Sequence, residues 1–331
     1  MNKIFVLLFT FLNKRLHFLE INPISTKLLN SRMTVFDIGA SGEPQSELLS
    51  LASISDIIIC EPDKRIQEFT KSSFAKAGFR SIHFIEKFLG GGTESSFYLT
   101  KRQECSSLLK PNLKVLSYFP FTERFEEESV LKIETSTIDS LDLKQKVDYL
   151  KIDTQGSELE ILKNYSQLPN ALLIESEVEF LEIYSGQPLY RHMDEHLSKL
   201  NFSVIDIKTA KWKLNTKSQN SRDVLVNYCG RNTLSFANVI YINNNYLPWN
   251  LTLEKAIKDD VIKVLLLLSR FKQISLAVSI LEKALEQKIV NAEEFQILKD
   301  ECLNFKFKRI LTFLLFKNTT QNKSEFDREF I

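Results

Sequence analysis

The sequence predicts an α/β protein whose mostly parallel β-sheet is covered by helices on both faces. Apolar runs of strand length alternate with helical segments between residues 34 and 243, a pattern typical of parallel sheets. Several of the runs end in an acidic residue, such as Asp37, Glu61 and Asp153. With 44% hydrophobic and 26% charged residues in 331, the chain has the composition of a globular protein that can bury a sizeable core.

The first half of the chain begins with two buried strands and then loosens. The predicted strands are 34–39, 56–63, 81–89, 94–100 and 130–138, and the predicted helices are 46–53 and 64–78. Gly78 closes the second helix, as glycine commonly does. Two prolines and an acidic run predict loop and irregular structure over 101–130,. The alternation over 130–138 predicts an exposed or edge strand,.

The second half repeats the strand and helix alternation before it becomes entirely helical. The predicted strands are 147–153, 171–180, 203–208 and 236–243, and the predicted helices are 157–165 and 190–202. Residues 252–316 carry helical periodicity with almost no turn residues, and charged side chains within them favour packed helices over a membrane span,. We therefore divide the chain into an N-terminal helical segment 1–32, a main domain 33–245, a helical extension 246–316 and a flexible tail 317–331.

Composition also limits the class of partner and the compartment. The 43 basic and 42 acidic residues leave a net charge of +1, so no basic domain indicates nucleic-acid binding. Four scattered cysteines without a C-x-x-C pair predict reduced thiols in a cytoplasmic protein,. The apolar run 4–12 is too short to cross a membrane,. A buried or amphipathic helix is favoured there over a targeting signal, and peripheral membrane contact through 4–15 stays open.

A glycine turn between the first strand and the first helix predicts a ligand site. Gly39 and Gly42 follow Asp37, and Glu61 comes 22 residues after Gly39 at the end of the second strand. Glycine lets the backbone approach a ligand, and an acid at this spacing accepts hydrogen bonds from ribose hydroxyls. The pyrophosphate fingerprint G-x-G-x-x-G is absent, and an acid before the glycines favours S-adenosylmethionine over NAD. The alternatives are a simple tight turn and a helix-capping role for Glu61.

Four stretches of the sequence resemble the FkbM-type S-adenosylmethionine-dependent methyltransferases. They read VFDIGASG, ICEPD, DYLKIDTQGSELEIL and LLIESEVEFLEIYSGQPLYRHMDEHLSKLNF. SSLLKPN at 106–112 and IDSL at 138–141 are also similar to family positions, and the resemblance covers about 33–245. It implies a class I methyltransferase fold, Rossmann-like, with a seven-stranded, mostly parallel sheet and one antiparallel strand near its C-terminal end. It also implies O-methylation of sugars or other hydroxylated small molecules.

The resemblance implies a set of cofactor contacts along the carboxyl edge of the sheet. The glycine turn would hold the methionine end, Glu61 the ribose, and Glu86 or Lys87 would lie near the adenine. The predicted cofactor-binding residues are Asp37, Gly39, Ala40, Ser41, Gly42, Glu61, Pro62, Glu86, Lys87 and Asp153. Glu43 stands where the family usually has a glycine, which leaves open whether it impairs cofactor binding.

Methyl transfer to a hydroxyl needs a positioned acceptor and a base for the hydroxyl proton. We expect Asp153 or Glu177 to be that base, with Lys151 and Glu158 shaping the acceptor pocket. Alternatively, Lys151 and Glu158 form a structural pair that caps the helix, or Asp153 and Glu177 hold Mg²⁺. The predicted substrate-binding residues are Ser107, Gln155, Tyr184, Gln187, Tyr190 and His192.

Two further patterns in the sequence involve a pair of histidines and a tryptophan between lysines. His192 and His196 are four residues apart, but the sequence between them is not H-E-x-x-H, and no metal site is predicted there,. Lys211, Trp212 and Lys213 place an aromatic ring between two cations, which suits an anionic or sugar acceptor or simply ends a strand.

We therefore expect a methyltransferase that uses S-adenosylmethionine to methylate a hydroxyl of a sugar, a glycan or a similar small metabolite. A second hypothesis is a non-catalytic module in a glycan-synthesis assembly. It would dock on a protein partner, or on a second copy of the chain, through residues 252–316. Glu43 in the glycine turn keeps this hypothesis open.

Overall fold

A seven-stranded sheet forms the centre of the protein. The computed structural model describes residues 26–215 and 232–303. The sheet strands are β1 (Met33–Ile38), β2 (Ser55–Cys60), β3 (Ser81–Ile85), β7 (Tyr149–Ile152), β8 (Leu173–Glu179), β9 (Phe202–Trp212) and β10 (Thr233–Asn243), in the order β3-β2-β1-β7-β8-β10-β9. In this sheet β10 runs in the direction opposite to the other six strands, which are parallel to one another. The predicted class I methyltransferase topology is confirmed.

A second, three-stranded sheet is inserted between β3 and β7. It contains β4 (Phe88–Leu89), β5 (Glu94–Thr100) and β6 (Glu127–Ser136), in the order β4-β6-β5. The prediction of one strand over 81–89 was wrong, because β3 ends at Ile85 and the chain then turns into this other sheet. The strand predicted at 130–138 is exposed over most of its length, but it is central in the small sheet, not an edge.

The helices cover both faces of the large sheet. They are α1 (Ser46–Leu49), α2 (Lys64–Ala75), α3 (Leu113–Leu116), α4 (Glu158–Lys163), α5 (Tyr190–Lys199), α6 (Lys258–Arg270), α7 (Ile274–Glu286) and α8 (292–303). Side chains alternate along β1, so Met33 and Val35 pack in one core while Phe36 and Ile38 pack in the other,. The second core also holds α4 and α5.

The described part of the predicted helical extension shares the first core with the sheet. Residues Asp259 to Arg270 of α6 are all buried, and their apolar side chains pack with those of β1, β2 and β7. Lys263 Nζ lies 2.9 Å from Asp148 Oδ2, and Arg270 Nη2 lies 2.7 Å from Glu301 Oε1. Both pairs are buried: the first joins α6 to the residue before β7, and the second joins α6 to α8.

Some sequence predictions lie outside the described residues. They are the apolar run 4–12, the membrane contact 4–15, Cys229, the end of the helical extension and the tail 317–331. Within 26–215 and 232–303, no helix combines the length and apolarity that crossing a bilayer requires. The cysteines of the described part, Cys60, Cys105 and Cys302, are free thiols in buried positions.

Candidate active site

A groove lies at the carboxyl ends of β1, β2 and β7, where parallel α/β sheets bind ligands. Its volume is about 200 Å³. Among its lining residues are the predicted Gly39, Ser41, Glu61, Pro62, Lys87, Lys151, Asp153 and Gln155. We call it the cofactor groove. Parallel pairing aligns Asp37 with Lys151 and Ile38 with Ile152, so the residues that follow β1 and β7 meet at one edge.

The glycine turn after β1 is shaped by its contact with the neighbouring strand. Gly39 has φ +78°, and a Cβ there would lie 1.8 Å from the carbonyl oxygen of Asp153. The Gly39 N–H donates to the Cys60 carbonyl at 2.9 Å, and the Gly42 N–H donates to Thr70 Oγ1 at 3.1 Å. Glycine at position 39 is therefore required by the close approach of two strand-end loops, whatever ligand lies beside them.

Asp37 is buried beneath the turn and pairs with Lys151. The Lys151 Nζ lies 3.1 Å from Asp37 Oδ1. Burial raises the pKa of Asp37, with Lys151 opposing that shift. Burial also lowers the pKa of Lys151, but attraction to Asp37 and Asp153 outweighs it, and the net pKa is above the usual range. Lys151 therefore stays charged, and its interaction with the carboxylates orders this edge of the groove.

Glu61 directly follows the last residue of β2 and faces the cofactor groove. It is 6% exposed, lines the groove, and its Oε1 accepts a hydrogen bond from the Asp63 N–H at 2.7 Å. The Gln67 amide bonds the carbonyls of Glu61 and Pro62 and holds this turn at the start of α2. Burial, with the nearby acids adding to it, raises the pKa of Glu61 to about 7. A hydroxyl donor at its carboxylate would stabilise the ionised form.

One wall of the groove comes from the small sheet and from the segment that follows β5, which the sequence did not predict to take part. The wall residues are Phe88, Leu89 and Phe97 of the sheet and Gln103, Glu104, Ser106 and Leu108 of that segment. Arg65, in the first turn of α2, ties this wall to the main domain. Its guanidinium donates to the Thr100 carbonyl at 3.1 Å and to Ser106 Oγ at 2.7 Å.

The turn between β7 and α4 is held in a left-handed conformation. Gln155 has φ +59° and Gly156 has φ +105°. Glu158 accepts hydrogen bonds from the N–H groups of Thr154 and Gly156 at 2.7 and 3.0–3.1 Å, and Ser107 Oγ donates to the Gln155 carbonyl at 2.6 Å. A non-glycine residue with positive φ costs energy and is often found at functional sites.

The Gln155 side chain joins two carboxylates. Its Nε2 donates to Asp153 Oδ1 at 2.9 Å and to Glu177 Oε1 at 3.0 Å, while its Oε1 lies 2.9 Å from the Tyr184 hydroxyl. Asp153 faces the cofactor groove, Glu177 faces a second pocket, and Gln155 lines both. The two cavities share Gln155 and Glu104 as lining residues, so they are direct neighbours.

The second cavity, which we call the aromatic pocket, has a volume of about 300 Å³. Its lining residues are Arg102, Glu104, Cys105, Pro120, Phe121, Arg124, Phe125, Gln155, Glu177, Glu179, Ile183, Lys211, Trp212, Lys213 and Phe236. Trp212 meets Phe121 edge-on, with ring centroids 4.6 Å apart, and meets Phe236 at 5.7 Å. Tryptophan was the one aromatic of this cluster that the sequence singled out, because it lies between two lysines.

Two glutamates on the floor of the aromatic pocket have unusual proton affinities. Burial raises the pKa of Glu177 well above its usual range, and repulsion by Asp153 and Glu179 adds to the shift. The pKa of Glu179 is raised in the same way by burial and by Glu158 and Asp153. Carboxyl groups whose proton affinity is shifted toward neutral pH are suited to proton transfer.

Comparison with known proteins assigns the chain to a family. The model of the methyltransferase FkbM domain matches residues 37–204. The chain belongs to the FkbM methyltransferase family. No curated protein matches the sequence. The region that carries the family match includes the glycine turn, Glu61, Asp153, Gln155 and Glu177.

Three solved structures similar to this FkbM-family chain are distant from it in sequence. Precorrin-6y C5,15-methyltransferase from Geobacter metallireducens is 12% identical with a TM-score of 0.33, covering 66% of this chain and 84% of its own. The fibrillarin pre-rRNA processing protein of Methanococcus jannaschii is 12% identical with a TM-score of 0.34, covering 66% and 68%. Magnesium protoporphyrin IX methyltransferase from Synechocystis PCC 6803, solved with bound SAM, is 11% identical with a TM-score of 0.32, covering 64% and 71%. These comparisons give no support to the expectation that nucleic acid is excluded as a partner.

Several predicted cofactor residues of this FkbM-family protein do not line the groove. Asp37 and Ala40 are buried below the turn, and Gly42 is part of it. Glu86 is half-exposed and pairs with Lys71 at 2.6 Å, whereas Lys87 does line the groove. Glu43 is exposed and is not a lining residue either.

The predicted substrate residues divide in the same way. Only Gln155 lines the aromatic pocket, and Ser107 and Tyr184 hold Gln155 in place from behind. Gln187 Oε1 accepts from the Tyr184 N–H at 2.5 Å, and His192 Nδ1 accepts from the Leu189 N–H at 2.9 Å at the start of α5. The Tyr190 ring packs in a tilted arrangement against Phe180, with ring centroids 5.4 Å apart.

The structure gives no support to the hypothesis that Asp153 and Glu177 hold Mg²⁺. Among the described residues, no group of three or more His, Cys, Asp or Glu side chains is placed to hold a metal ion. The Gln155 amide nitrogen lies between Asp153 and Glu177, in the position that a bridging cation would need. Lys151 and Glu158 also do not pair: Lys151 contacts Asp37, and Glu158 bonds the backbone of the 154–156 turn.

Proposed function

We propose that this protein is an S-adenosylmethionine-dependent O-methyltransferase that methylates a hydroxyl group of a sugar, a glycan or a similar small metabolite. The observation that carries the proposal is the meeting of the cofactor groove and the aromatic pocket at Gln155, with one carboxylate on each side. A transferase for two small substrates needs two such neighbouring cavities, because the reacting atoms must come within about 3–3.5 Å of each other.

The groove residues fit S-adenosylmethionine in kind and order. Glu61 would accept hydrogen bonds from the ribose hydroxyls, and the backbone at Gly39 and Ser41 would lie beside the methionine end. Lys87 and the apolar residues of the small sheet would enclose the adenine. Asp153 would face the sulfonium end, where a negative charge stabilises a cation. When bound, S-adenosylmethionine supplies an electrophilic methyl group.

The aromatic pocket fits the acceptor. Trp212 lines the pocket and would contact a sugar ring there, and Gln155 lies at the junction, where it would direct the acceptor hydroxyl toward the groove. Glu177 would take the hydroxyl proton, because it lines the pocket and its raised pKa makes it a stronger base than an ordinary carboxylate,. Asp153 is the other candidate base, since it lies on the groove side of the same amide.

Variants of the two acids test this assignment. Glu177→Gln should lower kcat by about 10²–10⁴-fold, the usual contribution of a general base, and leave S-adenosylhomocysteine affinity unchanged. Because Glu177 must be ionised to act, kcat/KM of the native enzyme should rise as pH increases through its raised pKa. That rise should be absent in Glu177→Gln. If instead Asp153→Asn loses the rise while Glu177→Gln keeps it, the base is Asp153.

The non-catalytic alternative is tested by cofactor binding itself. Calorimetric titration with S-adenosylhomocysteine should give a complex in native protein and a much weaker one in Glu61→Ala. Glu94→Ala, an exposed change on β5 outside both cavities, is the matched control. A folded native protein without measurable binding would leave the non-catalytic module as the better description. The burial of α6 in the chain's own core reduces the surface that such a module could offer.

A further inference from the structure

The rim of the aromatic pocket is strongly basic. Four of its lining residues are cations, Arg102, Arg124, Lys211 and Lys213, against one exposed acid, Glu104. The chain as a whole is balanced, with a net charge of +1, so this concentration of positive charge is local. Charge of one sign around a cavity attracts a ligand of the opposite sign.

The acids of the pocket do not cancel this charge. Glu104 Oε2 lies 3.3 Å from Arg102 Nε in an exposed pair, which is weak and can be exchanged for a ligand. Glu177 and Glu179 lie on the buried floor and not on the rim, and burial raises the pKa of both carboxyl groups. The two arginines also act on the floor, because Arg102 and Arg124 both oppose the rise that burial causes in the pKa of Cys105.

The geometry of the rim suits a ring that carries an anionic group. The Arg124 guanidinium lies 5.6 Å from the centre of the Phe121 ring, and Phe121 contacts Trp212 edge-on. The Arg124 guanidinium is therefore adjacent to these aromatic rings, and Arg102 lines the same pocket. Arginine binds carboxylate and phosphate oxygens through two parallel hydrogen bonds, and an aromatic ring packs against the apolar face of a ligand.

We propose that the acceptor is an anionic saccharide whose carboxylate or phosphate is bound by Arg102 and Arg124 while its ring packs on Trp212. This inference rests on the proposed function, because it names the substrate class of the same site. A volume of about 300 Å³ is at the lower end for small-molecule sites,, which favours a small saccharide over a nucleic-acid strand.

The protein contains a natural reporter for the experiment. It has two tryptophans: Trp212 lines the pocket, and Trp249 is 74% exposed and is not a lining residue. A Trp249→Phe protein would report on Trp212 alone by fluorescence. We would saturate it with S-adenosylhomocysteine and titrate it with methyl glucuronide, glucose 1-phosphate, neutral methyl glucoside and a short oligouridylate.

The arginine variants make the test specific. In the same background we would prepare Arg102→Gln/Arg124→Gln and, as a matched control for charge, Arg32→Gln. Arg32 directly precedes β1 and pairs with Asp56. This pair lies at the amino ends of the strands, whereas the cofactor groove lies at their carboxyl ends. Far-ultraviolet circular dichroism and the thermal midpoint would establish that each variant is folded.

We expect at least one anionic sugar to bind about tenfold or more tightly than methyl glucoside, since a charge-assisted hydrogen bond is worth about 1.5–3 kcal/mol. The difference should disappear in the double arginine variant, persist in Arg32→Gln, and shrink at high salt. A gain for the glucuronide alone identifies a carboxylate acceptor, and a gain for the phosphate alone identifies a phosphorylated one.

Four results would overturn the inference: equal affinity for neutral and anionic sugars, no binding of any sugar, an anionic preference that survives the double variant, or tighter binding of oligouridylate than of every sugar. Calorimetry with S-adenosylhomocysteine distinguishes failure of the anionic-acceptor inference from failure of the proposed function. Cofactor binding without an anionic preference overturns only the inference. A folded protein that does not bind S-adenosylhomocysteine refutes the proposed function itself.

Discussion

Replacing Gly39 by alanine is the sharpest test of how the candidate active site is built. The added Cβ would lie 1.8 Å from the Asp153 carbonyl oxygen, whereas Cβ atoms in proteins essentially never come closer than 3.0 Å to another heavy atom. The loops after β1 and β7 would have to separate by more than 1 Å, the difference between these two distances. The contact is with backbone, so no side-chain rotation can relieve it.

The size of the effect follows from two contributions. A left-handed backbone costs a non-glycine residue about 1–2 kcal/mol, and forcing an extra carbon into packed structure costs about 1–3 kcal/mol. Gly39→Ala should therefore lower the free energy of unfolding by about 2–5 kcal/mol. Gly78→Ala is the matched control, because Gly78 has φ +85° but nothing lies within 4 Å of its added Cβ. It should lose only the backbone contribution, about 1–2 kcal/mol.

Urea unfolding followed by circular dichroism would measure both losses, and calorimetry would measure S-adenosylhomocysteine affinity. Gly39→Ala should weaken that affinity by about tenfold or more, since about 1.4 kcal/mol of lost contact gives a factor of ten. Gly78→Ala should bind as the native protein does. Equal stability losses in the two variants, with cofactor affinity unchanged in both, would refute the reasoning.

Two further predictions concern buried charges. Ionising Glu61 within the fold becomes a cost as pH rises from about 4.5 to about 7, because its pKa is raised from 4.5 to about 7. Glu61→Gln should therefore raise the free energy of unfolding at pH 8 by about 1–3 kcal/mol and have no such effect at pH 4. The same variant should bind S-adenosylhomocysteine more weakly. A variant less stable than the native protein at pH 8 would contradict this prediction. Arg270→Met should cost about 3–5 kcal/mol in urea unfolding because it removes one member of the buried ion pair with Glu301,. Adding Glu301→Leu should recover part of that loss, and no recovery would argue against an ion-pair origin.

The sequence could predict the sheet and the cofactor edge because both depend on local patterns. Alternation of strands and helices fixes a parallel topology, and parallel topology brings the ends of β1, β2 and β7 to one edge. Asp37, Gly39, Glu61 and Asp153 therefore come together without any knowledge of side-chain packing. Helical periodicity also predicted packed helices within 252–316, and α6 and α7 are such helices,.

The acceptor side of the site could not be predicted in the same way. Phe121, Phe125, Trp212 and Phe236 come from three separate segments of the chain, and no spacing rule connects them. The sequence also could not predict that the small sheet forms a wall of the groove. Its position there depends on hydrogen bonds from Arg65 to Thr100 and Ser106, which lie 35 and 41 residues further along the chain. Long-range tertiary contacts of this kind leave no periodic signal in the sequence.

The position of α6 has a consequence for how the chain acquires its fold during synthesis. The Asn30 N–H donates to Asp259, 229 residues later, and α6 covers the face of the sheet that holds Val35 and Tyr149. At roughly 5–20 residues per second, translation separates the two partners by on the order of ten to several tens of seconds. Through that interval the nascent sheet would present an open apolar face to solvent or to a chaperone. Since so many native contacts are distant along the chain, slow and late closure of the core is the expected folding behaviour.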